Sequence, residues 1–419
     1  MKAIPPLLRR RAATFILLLV AAAWLLTSGR LLAFVASGTI EGIDAAGGVL
    51  KIHANGQDHT VAIAGDVKVT GTDGKSLAGG LTSLKAGLEV TVTLVRGESG
   101  PVVQAIQLGG NGALQYAAAG GKSSIGLKPL TEMTAQDRYK GQDGGLYGGG
   151  SNAPPPLHLA AARQQTGSII PLDVDGKPAK EGRIGLVSIS MSNATQEFSL
   201  FKELADVDPL KSPSVAIVDC AQGGQAMAQW VDPNAPAWAE ADRRLQRAGL
   251  GPKQVQVIWV KLANVMPRGD LAEHGGKLQR DTMAVLHNAK ARFPNVRIAY
   301  LGSRIYGGYA VTPLNPEPYA YEGAFVVRWL IQDQIKGNPE LRYDGAPDEA
   351  KAPLLLWGPY FWADGIVPRK SDGLVWERSD LGPDGTHPSE SGRRKVADML
   401  LRFFKQDPLA SQWFAKKSD

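Results

Sequence analysis

From Gly182 onward, apolar runs of strand length alternate with amphipathic segments of helical period, and this alternation constrains the fold more than any other feature of the chain. It is typical of α/β proteins with a parallel sheet, because each buried strand is followed by a helix that crosses back over the sheet. The predicted strands are Ile184–Ser190, Val215–Asp219, Val255–Leu262, Val296–Leu301 and Leu354–Trp357. The predicted helices are Ala194–Ala205, Trp238–Ala248, Leu278–Phe293, Tyr319–Ile335 and Pro388–Phe404.

The segment from Gly38 to Leu108 has a different pattern, in which apolar and polar residues alternate in short runs broken by glycine. A period of two indicates strands, and about six are expected within residues 38–110. Asn55-Gly56 and Asp73-Gly74 predict tight hairpin turns, because both dipeptides tolerate positive φ. The segment therefore predicts a small all-β barrel or sandwich. We interpret it as an accessory domain, because it carries no cluster of titratable residues at catalytic spacing.

Residues 111–182 lose periodicity and are rich in Gly, Pro and Ala. We interpret them as a linker that contains a loop packed on the main domain. The glycine run at 141–150 lacks the Gly-Lys-Ser/Thr ending of a phosphate-binding loop, and residues 173–176 lack the later acidic ligands of a calcium loop. No metal or other cofactor is expected. The predicted organisation has four parts. They are an N-terminal signal peptide or anchor (1–37), the all-β accessory domain (38–110), the linker with its packed loop (111–182) and a catalytic domain (183–419).

The first 37 residues have the layout of an export signal. Arg9–Arg11 precede an apolar stretch from Ala12 to Leu26, and small residues follow at Thr27-Ser28-Gly29. This order is typical of signal peptides. Because apolar residues continue toward Ala36, retention as a membrane anchor formed by residues 12–36 stays open beside cleavage. The sequence predicts a periplasmic or extracellular protein.

The charge pattern and the cysteine content argue against a nucleic-acid-binding protein and against a disulfide-stabilised one. The net charge is +6, but the basic residues are interspersed with acidic ones instead of forming a stripe, so no nucleic-acid partner is expected. The single cysteine, Cys220, leaves no internal disulfide. The stability of the chain must therefore come from apolar burial.

Several polar or glycine residues follow the predicted strands at the sheet edge where ligands of open parallel sheets bind. Ser192 follows the first strand at the start of a helix, where free backbone N–H groups stabilise negative charge, although serine is also a common helix cap. Gly223 and Gly224 follow the second strand and allow close approach of the backbone to an oxyanion. Asn264 follows the third strand and adds an amide donor.

The segment Asp384-Gly-Thr-His387-Pro388 precedes the last predicted helix. A residue before proline is disfavoured in the α region, so His387 is expected on the loop, with Pro388 opening the helix. Asp384 can accept a hydrogen bond from Nδ1 of His387 and leave Nε2 free to take a proton from a hydroxyl. A purely structural His–Asp pair is the alternative.

Together these four segments resemble the block pattern of the SGNH/GDSL hydrolases over about Gly182 to Phe404. The resemblance implies a three-layer α/β/α sandwich of flavodoxin-like type with a five-stranded parallel sheet. It implies Ser192 as nucleophile, His387 as general base and acid, and Asp384 as its orienting partner. It also implies an oxyanion hole formed by the Ser192 N–H, Gly224 and Asn264.

The chain departs from the family at positions that flank these residues. Ser190-Met191-Ser192 replaces the usual Gly-Asp-Ser, and Leu262-Ala263-Asn264-Val265 stands where the family has Gly-x-Asn-Asp. These departures leave the substrate class and the choice between Gly223 and Gly224 open. The resemblance does not identify a substrate.

The implied activity is that of a secreted or membrane-tethered serine esterase. An aromatic group near the last two strand ends either stacks on a sugar ring or packs in the core, and it comprises Tyr306, Tyr309, Trp357, Tyr360, Phe361 and Trp362. Export and this group favour an O-acylated carbohydrate as substrate. The alternatives are a lipid or acyl ester, and a non-catalytic cell-envelope binding module on the same fold.

Overall fold

The computed structural model describes residues 34–54, 57–71, 75–97, 100–108, 121–345 and 349–416. The chain divides into two compact units, residues 1–115 and residues 116–419. Residues 1–33 of the predicted export segment and the predicted turns at 55–56 and 73–74 lie outside the described residues. Residues 34–37, which the sequence prediction assigns to that segment, instead begin a strand at Phe34. Among the helices that are described, none has the length and apolar character needed to cross a membrane.

The first unit contains a closed β-barrel. Its strands are β1 (Phe34–Asp44), β2 (Val49–Ala54), β3 (Gln57–Thr70), β4 (Glu89–Gly97) and β5 (Gly100–Leu108). They close in the order β1-β2-β3-β5-β4, with β3 and β5 parallel and the other neighbours antiparallel. Buried apolar side chains fill the interior, among them Leu50, Val92 and Ile106. The segment is all-β as predicted, but its described residues form five strands instead of about six, because the alternating runs at 60–63 and 67–70 both belong to the single long strand β3.

The second unit is built on a five-stranded parallel sheet. Its strands are β6 (Ile184–Ile189), β7 (Val215–Asp219), β8 (Val255–Lys261), β9 (Ile298–Gly302) and β10 (Leu354–Trp357). The strand order is β10-β9-β8-β6-β7, and every neighbouring pair is parallel. Counted along the chain this is 2-1-3-4-5, the doubly wound order whose connections reverse direction between the first and third strands. The reversal opens a crevice at the carboxyl ends of β6 and β8.

Helices cover both faces of this sheet, because right-handed crossovers that run in opposite directions lie on opposite faces. The helices are α1 (Pro156–Gly167), α2 (Ser192–Asp206), α3 (Met227–Trp230), α4 (Pro236–Arg247), α5 (Leu271–Arg292), α6 (Tyr319–Ile335), α7 (Glu390–Gln406) and α8 (Ser411–Phe414). On one face α2 packs against α7, and on the other α5 packs against α6. Stacked rings join α2 to the sheet through Phe198 and Trp259 and to α7 through Phe201 and Phe404.

Several elements differ from the sequence prediction. Helix α5 begins at Leu271 instead of Leu278, and the short helices α3 and α8 were not predicted. Helix α1 lies in the segment interpreted as a linker, and its apolar residues are scattered around the helix, so no helical period is visible there. It nevertheless packs into the second unit, with Ala162 fully buried. The last helix does not open at Pro388. Its cap is Ser389, whose hydroxyl accepts a hydrogen bond from Gly392 N at 3.4 Å.

A buried ion pair lies beneath the carboxyl end of the sheet. Lys261, the last residue of β8, donates to both carboxylate oxygens of Glu197 on α2, and neither side chain is exposed. Burial lowers the pKa of Lys261 to about 8, although the Glu197 carboxylate opposes this effect. The pair fixes the start of α2 against the end of β8.

We expect Lys261→Met to destabilise the protein by about 3–5 kcal/mol, because Glu197 would keep a buried charge without its partner. The double variant Lys261→Met, Glu197→Leu should recover most of that loss, since it removes both charges. Urea unfolding measures the free energy of unfolding of each variant. A double variant no more stable than the single one would contradict this account of the pair.

Candidate active site

Three side chains form a hydrogen-bonded chain at the carboxyl end of the sheet. The Oγ atom of Ser192 lies 2.7 Å from Nε2 of His387, which comes 195 residues later in the chain. On the other side of the imidazole, Nδ1 of His387 lies 2.5 Å from Oδ2 of Asp384. The three side chains are half-buried. A hydroxyl, an imidazole and a carboxylate in this order can activate the hydroxyl as a nucleophile.

Ser192 is the first residue of α2 and follows β6 after a short extended turn. It therefore lies beside the crevice where the connections of the sheet reverse direction, with free N–H groups of the helix N-terminus around it. Two hydrogen bonds hold this turn. The Ser190 hydroxyl donates to the Lys261 carbonyl at the end of β8, and Gln222 N donates to the Ser190 carbonyl at 2.9 Å. The turn is thus tied to the loops after both neighbouring strands.

Asp384 is held by its own loop in the orientation that faces the imidazole. Its Oδ1 atom accepts hydrogen bonds from the backbone N–H groups of Thr386 and His387, each at 3.0 Å. Gly385 has φ +63°, and a Cβ there would lie 1.8 Å from the Tyr309 carbonyl oxygen, so this turn requires glycine. Burial alone raises the pKa of Asp384, but the hydrogen bonds from His387 and Thr386 outweigh it and hold that pKa below its ordinary value. The carboxylate is therefore ionised at neutral pH.

The carbonyl oxygen of Thr386 connects the histidine loop to the rest of the site. It accepts a hydrogen bond from Asn193 Nδ2 at 2.9 Å and from the Arg304 guanidinium at 3.2 Å. Asn193 follows Ser192 directly on α2, and Arg304 follows β9. Both side chains are 2 % exposed. They fix the residue before His387 against the element that carries Ser192.

Sequence reasoning missed Asn193 and Arg304, although one signal could have found Arg304. It stands two residues after β9, at the same sheet edge as Ser192 and Asn264. Those residues were singled out because ligands of open parallel sheets bind at the carboxyl ends of the strands, and the same reasoning applies to a charged residue at this position. For Asn193 the sequence carried no comparable signal.

The loops that carry the predicted oxyanion donors pack side by side. Met191, Ala226 and Ala263 form a small apolar cluster, with Val265 packed against it. These residues flank Ser192, Gly224 and Asn264 in the chain, so the loops after β6, β7 and β8 meet there. Gly224 has φ +75°. The geometry brings the three predicted donor segments to one place.

The side chain of Asn264 is 8 % exposed and oriented by two hydrogen bonds. Its Oδ1 atom accepts from Ala228 N at 3.0 Å, and its Nδ2 atom donates to Asp281 at 2.6 Å. An amide nitrogen carries two hydrogens, so one N–H remains beyond the bond to Asp281. Asp281 was not singled out from the sequence, because it lies within α5, far from any strand end.

The rings for which the sequence left sugar stacking and core packing open are buried. Tyr306, Phe361 and Trp362 are fully buried, and Tyr309, Trp357 and Tyr360 are each 5 % exposed. All belong to the main apolar core of the second unit. The rings therefore pack in the core instead of standing at an exposed rim, and no substrate contact is proposed for them. Among the described residues, no cluster of three or more His, Cys, Asp or Glu side chains could hold a metal ion.

Comparisons with known proteins find no matching family profile and no matching curated protein. Among solved structures, apo-CusF residues 6–88 from Escherichia coli match 20 % of this chain and 98 % of their own, at 17 % identity and a TM-score of 0.17. BT4096, a gut microbial diltiazem-metabolizing enzyme, matches 55 % of this chain and 47 % of its own, at 14 % identity and a TM-score of 0.32. The periplasmic domain of a lipopolysaccharide acetyltransferase from Salmonella ser. Paratyphi A matches 60 % and 97 %, at 13 % identity and a TM-score of 0.29. Likenesses this low carry no functional conclusion.

Proposed function

We propose that this protein is a serine esterase that cleaves carboxylic esters through an acyl-enzyme. The observation that carries the proposal is the hydrogen-bonded chain from Ser192 Oγ to His387 Nε2 and from His387 Nδ1 to Asp384. A purely structural His–Asp pair does not need a hydroxyl on its far nitrogen at the N-terminus of a helix. In this proposal Ser192 is the nucleophile, His387 the general base and acid, and Asp384 the orienting group.

The reaction would run in two halves. Ser192 Oγ attacks the ester carbonyl while His387 Nε2 takes the hydroxyl proton, and collapse of the tetrahedral intermediate expels the alcohol, which receives that proton. Water then attacks the acyl-enzyme, again losing a proton to His387, and the acid leaves as Ser192 regains its hydrogen. Asp384 holds the imidazole in the required tautomer and stabilises the imidazolium in both halves.

The negative charge of each tetrahedral intermediate would be stabilised by an oxyanion hole formed by the Ser192 N–H, the Gly224 N–H and the Asn264 amide. Packing of their three loops around Met191, Ala226 and Ala263 supports this grouping. A single donor of this kind commonly contributes about 3 kcal/mol to the transition state. The remaining N–H of Asn264 is the donor that this proposal requires.

Gly223 and Gly224 both lie in the loop after β7, and substitution of each by alanine tests which of them belongs to the oxyanion hole. Gly224→Ala should lower kcat about ten- to a hundredfold, because φ +75° is strained for alanine and relief of that strain would move the donor. Gly223→Ala is the matched control, since an added Cβ there meets no atom within 4 Å. Steady-state kinetics on p-nitrophenyl acetate would measure both. Equal activity of the two variants would remove Gly224 from the oxyanion hole.

We further propose that the enzyme acts outside the cytoplasm on an O-acylated carbohydrate. The order of Arg9–Arg11, the apolar residues 12–26 and the small residues 27–29 supports export, with cleavage or retention of residues 12–36 as an anchor. A lipid or acyl ester is the second candidate for the substrate. A panel of acetylated oligosaccharides and p-nitrophenyl esters of increasing chain length would separate the two classes.

The experiment that tests the enzyme assignment uses the purified full-length protein. It should hydrolyse p-nitrophenyl acetate and become labelled at Ser192 by a fluorophosphonate probe, with the labelled residue identified by mass spectrometry. A protein that does neither, although correctly folded by circular dichroism, would instead be a binding module of the cell envelope on the same fold.

A further inference from the structure

A cavity of about 380 Å³ lies in the second unit beside the segment of residues 307–318. Its lining includes the apolar residues Ile125 and Pro318 together with Tyr139 and Glu317. Ala310 also lines it. The volume lies within the range of about 300–1,000 Å³ that is usual for small-molecule sites. None of these residues takes part in the proposed chemistry.

The segment of residues 307–318 connects this cavity to the candidate active site at two points. Val311 N donates to the Asp384 carbonyl at 3.0 Å, directly beside the histidine loop. Asn315 Nδ2 donates to the Asn264 carbonyl at 3.2 Å, on the side of the proposed oxyanion hole. Ala310 and Glu317, which line the cavity, are close neighbours of these two contacts in the chain. The cavity therefore borders the site on the segment that spans from Asp384 to Asn264.

The Glu317 carboxylate is fixed but not saturated. Its Oε1 atom accepts hydrogen bonds from Gly307 N and Trp362 Nε1, each at 2.8 Å, and its Oε2 atom accepts from Tyr321 N at 2.9 Å. A carboxylate has about four acceptor positions, so one position on Oε2 remains. Hydrogen bonds from the protein itself occupy three of the four acceptor positions. No described residue occupies the fourth.

The protonation state of Glu317 restricts which functional group of a ligand could bond to its remaining position. Burial raises the pKa of Glu317 to about 7, against the opposing effect of its three donors, so both protonation states exist near neutral pH. The free position then either accepts or donates a hydrogen bond. A hydroxyl group satisfies both states, because it carries one donor and two acceptor positions. A second carboxylate would be repelled by the ionised state.

The ring of Tyr139 supplies a fixed apolar surface. It stacks on Phe325 with a centroid separation of 5.5 Å and an interplanar angle of 11°, and its hydroxyl donates to Glu322 Oε1 at 2.6 Å. Tyr321 also meets the ring edge to face at a centroid separation of 4.9 Å, and Lys140 Nζ lies 5.6 Å from the ring centroid, so the ring is held rigidly. A rigid aromatic surface beside a hydrogen-bonding carboxylate matches a molecule with both C–H faces and hydroxyl groups.

We propose that this cavity binds the alcohol part of the substrate ester and that this part is a polyhydroxylated ring, as in a sugar residue of a glycan. This inference rests on the proposed function, because only an esterase would make the bound sugar part of its substrate. Binding of a sugar at the cavity does not itself require turnover. Glu317 then acts as a specificity residue that recognises a ring hydroxyl, and residues 307–318 align the ring with Ser192.

Binding by full-length Ser192→Ala tests the site without hydrolysis. Isothermal titration with cellotetraose, xylotetraose and the β-1,4-linked tetramer of N-acetylglucosamine should detect binding of at least one probe. Adding Ala310→Trp should weaken that binding at least about tenfold, because the indole would occupy the cavity. Ile125→Trp should do the same from another lining position, which guards against misfolding of one variant. Ala291→Trp, in a separate cavity beside His287 and Lys290, is the matched control and should leave binding unchanged.

Absence of binding by all three tetrasaccharides would overturn the proposal, and so would binding that neither cavity-filling variant weakens. These outcomes are distinguishable from failure of the esterase assignment. Hydrolysis of p-nitrophenyl acetate without any tetrasaccharide binding would remove the sugar site and leave the esterase. Tetrasaccharide binding that the filling variants abolish, in a protein without hydrolytic activity, would support the site and remove the chemistry.

Discussion

Ser192→Ala should lower kcat for p-nitrophenyl acetate by about a millionfold, to the residual rate that binding and oxyanion stabilisation supply alone. The reason is the 2.7 Å contact between Ser192 Oγ and His387 Nε2, which alanine cannot make. Labelling by a fluorophosphonate probe should disappear with the activity. The melting temperature should change little, since Ser192 is half-buried and its hydroxyl bonds to no other side chain or backbone group among the described residues.

Ser199→Ala is the control for this variant, because Ser199 lies two turns further along the same helix and is also half-buried. Its hydroxyl makes only a weak bond to the Gln196 carbonyl at 3.5 Å. It should keep wild-type kinetics. Hydrolysis that survives in Ser192→Ala but not in Ser199→Ala would show that the nucleophile has been assigned to the wrong serine.

Asp384→Asn should lower kcat by about ten-thousandfold, the loss expected when an asparagine presents an amide to the imidazole and favours the wrong tautomer. The amide oxygen can still accept the backbone bonds from Thr386 and His387, so the loop should keep its shape. Stopped-flow or long-term steady-state assays measure the rate, and circular dichroism checks the fold. Asp398→Asn, which removes an exposed carboxylate from α7, is the control with expected wild-type activity.

The effects of these two substitutions should not add. Once Ser192 is alanine, the imidazole has no hydroxyl to deprotonate, so the double variant Ser192→Ala, Asp384→Asn should be no slower than Ser192→Ala alone. A further large loss in the double variant would mean that Asp384 acts independently of Ser192.

Asp384 also gives the protein a pH-dependent contribution to stability. Because its pKa in the folded protein lies below the ordinary value of 3.8, this contribution is present above about pH 3.8 and is lost as the pH falls through the folded-state value. The melting temperatures of wild type and Asp384→Asn should therefore differ most near neutral pH and converge in acid. Curves that stay parallel down to strongly acidic pH would contradict the ionised state of Asp384.

The sheet of the second unit could be predicted because four of its five strands are fully buried and the edge strand β7 is mostly buried, so all of them read as apolar runs. Val215–Asp219 and Leu354–Trp357 match to the residue. Ser192 was located by its position after the first strand, and the Asp384–His387 pair by the His-Pro segment before the last helix; the fold brings them into hydrogen-bond contact. The roles of these residues, and of Gly224 and Asn264, stay predictions until the variants are measured.

The remaining features depend on packing that a linear pattern does not carry. Helix α1 has no apolar stripe, and the sequence could not decide whether Trp362 and Tyr306 contact a ligand or pack in the core, where both are fully buried. The cavity beside Glu317 is formed by segments far apart in the chain, since Tyr139 and Glu317 both line it. Aromatic composition alone cannot separate a core ring from one that faces a ligand.

The hydrogen bond between Asn193 and the Thr386 carbonyl has a consequence for producing the protein in eukaryotic secretory hosts. Asn193-Ala194-Thr195 is an acceptor sequence for N-linked glycosylation, which acts on chains before they fold. Asn193 is 2 % exposed in the folded protein, so a glycan attached to it could not be accommodated between α2 and the loop before His387. Material secreted from yeast or animal cells should therefore be glycosylated and misassembled at this position, whereas bacterial expression leaves Asn193 unmodified.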